Sequence, residues 1–245
     1  MRTLWGFTLL GLVAAAATAR ADDRDAALAV IDRAIRAQGG ADALSRARVV
    51  SRTTSGFVMQ GGKQVPFSGT TLLRLPDQMR LALTLDKRFP IVTVVNGDKG
   101  WQLPPGGSVT ELTREHLREI REEAYVWWLT TLVPLRKESF TLTPLPDIKV
   151  NGEPAAGVKV ASPGHSDARL YFDKRTGLLA RLERRASEVG VLVDKEYLYT
   201  DYKTFDGVKL PTKETINLSG KKWSEAVTES CKFLTHIDEK EFSRP

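Results

Sequence analysis

The stretch Leu75-Pro76-Asp77-Gln78-Met79-Arg80-Leu81-Ala82-Leu83-Thr84-Leu85 carries the clearest periodicity in the chain. Pro76-Asp77 is a turn pair. Beyond it Met79, Leu81, Leu83 and Leu85 fall on one face, with Arg80 and Thr84 on the other. A period of two belongs to a β-strand, and one apolar face marks an antiparallel sheet with one dry side.

Similar runs lie on both sides. Val49 to Met59, Val65 to Leu75, Ile91 to Asn96 and Gly100 to Leu103 are rich in Val, Thr and Leu, and Gly61-Gly62 and Asn96-Gly97-Asp98 punctuate them. Further strands are expected at Ser139 to Thr143, Ala156 to Ala161, Arg169 to Asp173, Leu178 to Arg185, Glu196 to Lys203, Lys213 to Leu218 and Ser224 to Leu234. Short turns join most of them, so neighbours in sequence should be neighbours in the sheet.

Two segments follow a helical period instead. Leu28, Ile31, Ala34 and Ile35 place a helix over Asp25 to Gln38, stopped by Gly39-Gly40, with a further turn at Ala41 to Ala47. A second helix is expected from Arg114 to Val133, with Thr113 as N-cap and Pro134 as stop. Its apolar stripe holds Leu117, Ile120, Ala124, Trp127, Trp128, Thr131 and Leu132. A sheet this long curls, and helices must cover its concave side. They can either fill that side or leave a hollow. The fold class is therefore mainly β with a few helices, a curled antiparallel sheet in one domain over 22–245.

The first residues read as a cleavable secretion signal. Arg2 precedes an apolar run from Leu4 to Val13, and Ala19-Arg20-Ala21 matches a peptidase site, so 1–21 is expected to be removed. No later run is long and apolar enough to anchor the product in a bilayer. The formal charge of +6 is spread along the chain rather than gathered in a tract, which disfavours nucleic-acid binding. Cys231 is the single cysteine, so an intramolecular disulfide is impossible and burial is its expected role.

Catalytic and metal motifs are weak. Gly164-His165-Ser166-Asp167-Ala168 echoes a nucleophile elbow, which needs a strand, a sharp turn and a helix. Here Arg169 to Phe172 reads as a strand. Asp194 or Asp201 with His236 would complete the order of a hydrolase triad. His116, His165 and His236 are scattered, Glu122 and Glu123 are expected to diverge around their helix, and neither a metal nor a cofactor is implied.

Leu75 to Arg80, Val94-Val95-Asn96-Gly97-Asp98-Lys99-Gly100-Trp101, Tyr171 to Leu178, Asp201 to Pro211 and the closing Ile237 to Phe242 together resemble the LolA/LolB-like family of periplasmic lipoprotein carriers. The resemblance spans nearly all of 22–245. It implies a half-open β-barrel lidded by helices, with a hydrophobic cavity that takes acyl chains of lipoproteins or lipids, and no enzymatic activity. It also implies a periplasmic monomer that meets other envelope proteins. In the carriers an arginine just before the proline that corresponds to Pro76 holds the lid. Here that position is Leu75, and Arg74 should point to the opposite face.

On this reading Met79, Leu81 and Leu83 form one cavity wall, Trp101 and Leu103 another, and Leu117, Ile120, Trp127 and Trp128 the lid. An envelope sensor or protein-interaction domain of the same fold without lipid cargo is the alternative. A serine hydrolase using Ser166 is the remote one.

Overall fold

The computed structural model describes residues 10–245, with side chains from 22 onward. The leader expected over 1–21 lies outside the residues whose side chains are described. α1 (Leu10–Ala37) and α2 (Ala41–Arg46) come first. A meander follows: β1 (Val49–Gln60), β2 (Lys63–Arg74), β3 (Gln78–Leu85), β4 (Phe89–Asn96), β5 (Lys99–Leu103) and β6 (Thr110–Glu111). After α3 (Arg114–Thr130) comes a second meander: β7 (Thr141–Val150), β8 (Glu153–Ala161), β9 (Ala168–Asp173), β10 (Leu179–Glu188), β11 (Val191–Phe205), β12 (Val208–Leu218) and β13 (Lys221–Phe233). β6 was not expected, because two residues are too few to show a period.

All thirteen strands form one sheet in the order β6-β5-β4-β3-β2-β1-β13-β12-β11-β10-β9-β8-β7. Pairing of the first strand with the last joins the two meanders into one surface. The sheet stays open, with β6 and β7 as its edges. α3 connects those two edges, so the chain has to cross a face of the sheet to continue.

α3 ends at Thr130, three residues short of the expected Val133. The Thr130 and Thr131 hydroxyls donate back to the carbonyls of Trp127 and Trp128 at 2.8 and 2.7 Å. Leu132 then turns to a φ of 62°, and a 3-10 turn over Val133–Arg136 carries Pro134.

The main core lies under the second meander. Ile31 and Ile35 of α1, Val126 and Leu129 of α3, and Leu170, Phe172, Leu182 and Tyr197 of the sheet pack there with essentially no exposure. Arg24 ties α1 to this region through the Phe140 carbonyl at 2.6 Å. Under the first meander the packing changes. Val50, Leu73, Met79 and the buried Cys231 form a smaller cluster on the concave face. Val94, Trp101, Ile237 and Phe242 form another on the outer face.

Two glycines bend this half of the sheet. A Cβ at Gly56 would stand 2.0 Å from the Glu225 carbonyl, and one at Gly69 would stand 2.1 Å from that of Ala82. Only glycine lets neighbouring strands approach so closely. The hairpin turns show a second local rule. Gly61-Gly62, Asn151-Gly152, Asp206-Gly207 and Ser219-Gly220 have positive φ at both positions, the conformation that matches strand twist. Val189-Gly190 adopts the same turn with a β-branched residue at a φ of 52°, although its side chain is 92% exposed.

Val189→Asn should raise the unfolding free energy by about 1 kcal/mol, because asparagine tolerates the left-handed region and little apolar burial is lost. Gly69→Ala should lower it by about 2 kcal/mol, since backbone has to move to admit the methyl group. Urea unfolding midpoints check both.

Candidate functional site

Between the concave face of the first meander and α3 lies a cavity of about 440 Å³. Its sheet wall is built by alternation. Met79, Leu81, Leu83 and Leu85 of β3 face it, with Phe67 of β2 and Ile91 of β4 beside them. β12 and β13 add Ile216, Trp223 and Ala226. Ile120 and Trp127 cover it from α3, where residues three and four apart share a face. The expected wall of Met79, Leu81 and Leu83 and two of the expected covering residues are thus brought together.

The other expected residues lie elsewhere. Trp101 packs on the outer face against Val94, Ile237 and Phe242, and Leu103 shares its side of β5. Their alternate, Gln102, faces the cavity and donates to the Thr93 hydroxyl at 3.4 Å. The expected single dry face fails here because the C-terminal segment covers the second one. Arg74 helps hold that segment on the outer face, as its parity implied, pairing with Glu239 at 2.5 Å and donating to the Ile237 carbonyl at 3.1 Å. Leu117 does not line the cavity. It packs over β5, where a Cβ at Gly100 would meet it at 2.9 Å.

Trp128 points away from Trp127 because consecutive helical residues diverge by about 100°. It sits 5.5 Å from the Phe140 ring in the main core and lines a separate hollow of about 370 Å³ beside Leu44 and Leu75.

The cavity is not uniformly apolar. Thr54, Thr71, Thr93 and Ser224 place a band of hydroxyls along it, and Arg52 and Glu214 also face it. The Arg52 guanidinium lies 4.3 Å from the centre of the Trp127 ring and donates to the Thr228 hydroxyl at 2.6 Å. Burial pushes the Glu214 carboxyl above its ordinary value, and the nearby Arg52 only partly offsets it. Sequence reasoning missed both residues. Polar residues in a strand read as a solvated face, and nothing local marks them as inward.

The flank of α3 that faces the second meander is charged and tightly held. Glu123 accepts from Lys195 at 3.0 Å, from the Tyr197 hydroxyl at 2.9 Å and from Arg184, while Lys195 also pairs with Glu188. Glu122 reaches the same Arg184 at 3.8 Å and His165 at 2.7 Å, and the His165 ring stacks on Tyr125 at 3.6 Å. The two adjacent acids, expected to diverge, therefore converge on one guanidinium. Glu119 accepts from Ser187 and from the Gly190 backbone N–H at 2.8 and 3.1 Å.

Ser166 stands exposed in the turn between β8 and β9, so a strand follows it rather than a helix. His236 follows β13 at the opposite end of the sheet. The elbow and its triad are not assembled. Among the described residues, no group of three or more metal-ligating side chains comes together.

No protein-family model matches the chain, and no curated protein matches it in sequence. Solved structures match it in shape. A LolA superfamily protein from Nitrosomonas europaea superposes with a TM-score of 0.59 at 10% identity, over 89% of this chain and 97% of that one. The fold is LolA-like. A Vibrio parahaemolyticus domain described as an outer membrane lipoprotein-sorting protein domain gives a TM-score of 0.56 at 16% identity, and a DUF1329 family protein from Desulfovibrio piger gives 0.56 at 12%. Both are covered to 97% and cover 89% of this chain. At these identities the likeness speaks for the LolA-like fold alone.

Glu123 holds two cations whose side chains are only 3% exposed. Glu123→Gln should therefore cost about 3 kcal/mol of stability by leaving them short of a counter-charge. Burial works to raise the Glu123 carboxyl, but Lys195 and Arg184 outweigh it and hold the group below its ordinary value. Its contribution is thus present above the unfolded carboxylate pKa of about 4.3 and is lost as pH falls through the lower folded value. Thermal melts between about pH 3 and pH 7 should show a steeper acid loss in wild type than in the Gln variant.

Proposed function

We propose that this chain is a periplasmic binding or carrier protein that shelters an acyl chain, of a lipid or a lipoprotein, in the cavity beneath α3. Residues 22–245 act as one lipid-binding domain, delivered to the periplasm by a leader that is cleaved after Ala21. Met79, Leu81, Leu83, Ile120 and Trp127 are its binding residues. The role is shelter rather than catalysis.

One observation carries this reading: a largely apolar hollow left beside a core that is otherwise filled. Its volume of about 440 Å³ lies within the range of about 300–1,000 Å³ usual for small-molecule sites. Each buried CH₂ contributes about 0.8 kcal/mol, so ten methylenes supply about 8 kcal/mol against an association cost of roughly 4–15 kcal/mol. Among the described residues no helix is long and apolar enough to cross a membrane. The LolA-like neighbours include one described by lipoprotein sorting, which supports the same reading.

A second reading is an envelope protein-interaction or sensor domain without lipid cargo. It is favoured by the β10–β11 hairpin tip, where Val189, Val191 and Leu192 are 92%, 62% and 68% exposed.

Displacement of a fluorescent fatty-acid analogue separates the two. Saturable binding is expected in wild type, with at least about a tenfold loss in Trp127→Asp and in Leu83→Trp, which fills the cavity without adding charge. Circular dichroism checks that both variants are folded. Absence of binding in wild type would favour the protein-interaction reading.

A further inference from the structure

Below the apolar cavity lies a second, small chamber of about 50 Å³, and the two share Arg52, Trp127 and Glu214 as lining residues. Its lining mixes apolar side chains, among them Leu179, Leu210 and Pro211, with a few polar ones. Gln38 at the end of α1 is 1% exposed, and its Oε1 has no hydrogen-bond partner. Among the described residues, Arg52 and Glu214 form no ion pair with each other or with any other side chain. Tyr199 stands opposite Glu214 across the β11–β12 pair. The chamber is thus a small space where a few incompletely matched polar groups, Arg52 and Glu214 among them, meet apolar walls beside the hollow.

We propose that this chamber is a head-group site for a single-chain carboxylic acid, with the ligand carboxylate against Arg52 and its alkyl chain in the cavity above. The proposal rests on the acyl-binding reading and extends it to a substrate class. Arg52 supplies the cation, fixed by Trp127 and Thr228, and guanidinium–carboxylate contact is a strong charge-assisted hydrogen bond. A chamber of about 50 Å³ suits two oxygens better than a phosphodiester head.

Glu214 makes the site proton-linked. Groups facing it are Arg52 from β1, Thr228 from β13, Tyr199, Tyr202 and Lys195 from β11, Trp127 and Glu123 from α3, and Gln38 from the turn after α1. Burial already favours its neutral form, which can donate its own proton to the ligand. A bound carboxylate favours that form further, so binding takes up protons. Affinity therefore falls as pH rises and Glu214 ionises.

Titration calorimetry with dodecanoate, dodecyl phosphate, dodecanol and dodecylamine tests this on the wild-type chain. Dodecanoate should bind at least about tenfold more tightly than dodecanol or dodecylamine. Tighter binding of dodecyl phosphate than of dodecanoate would overturn the carboxylate assignment. Arg52→Gln should remove the dodecanoate advantage and leave dodecanol within about twofold. Glu214→Gln should keep dodecanoate binding but abolish its weakening as pH rises. Equal binding of dodecanoate and dodecanol would overturn the head-group site and leave the acyl-binding reading standing. Binding of none of the four would overturn both.

Discussion

The structure depends on the pairing of β1 with β13, which fastens the first strand to the last and merges two meanders into one thirteen-stranded surface. Once those strands are neighbours, the link between the meanders has to travel from one free edge to the other. The concave side is where that link is covered from water, and an amphipathic helix can make the crossing with its own hydrogen bonds satisfied. α3 is that helix. Every property of the site follows from one covering element being shared between a filled half and a hollow half.

The hollow persists because its walls are held apart from outside it. α3 is fixed on its charged flank, where Glu119, Glu122 and Glu123 meet the β10–β11 hairpin and the β8–β9 turn. Its far end is sunk in the main core through Val126 and Leu129. The first meander cannot flatten outward, because the C-terminal segment is packed against its other face through Ile237 and Phe242. It cannot close further inward either, since Gly56 and Gly69 already bring strand backbones as near as glycine allows. Cavity space left in a core costs stability in proportion to its volume. A fold that keeps such space has to recover that cost elsewhere, and the filled core beneath the second meander supplies the recovery.

Much of this could be read before any coordinates. Met79, Leu81 and Leu83 declared themselves by strict alternation, and Ile120 and Trp127 by helical spacing. Trp101 and Leu103 face outward because the sheet has a second dry face, which their alternation alone does not reveal. The second dry face is made by Ile237 and Phe242, which lie far along the chain. Trp128 faces away for a simpler reason: adjacent tryptophans on a helix cannot share one surface. Arg52, Glu214 and Gln38 were invisible because tertiary structure turns them inward. β6 left too short a trace. The open LolA-like architecture was legible as a whole, since it rests on periods and turns, while the polar floor of the cavity depends on contacts between distant strands.

If the space beneath α3 is kept for a hydrocarbon chain, native mass spectrometry of the chain purified without detergent should reveal it. One alkyl carboxylic acid bound per polypeptide, released on denaturation, is the predicted result. A mass equal to the bare polypeptide, unchanged after incubation with dodecanoate, would contradict it.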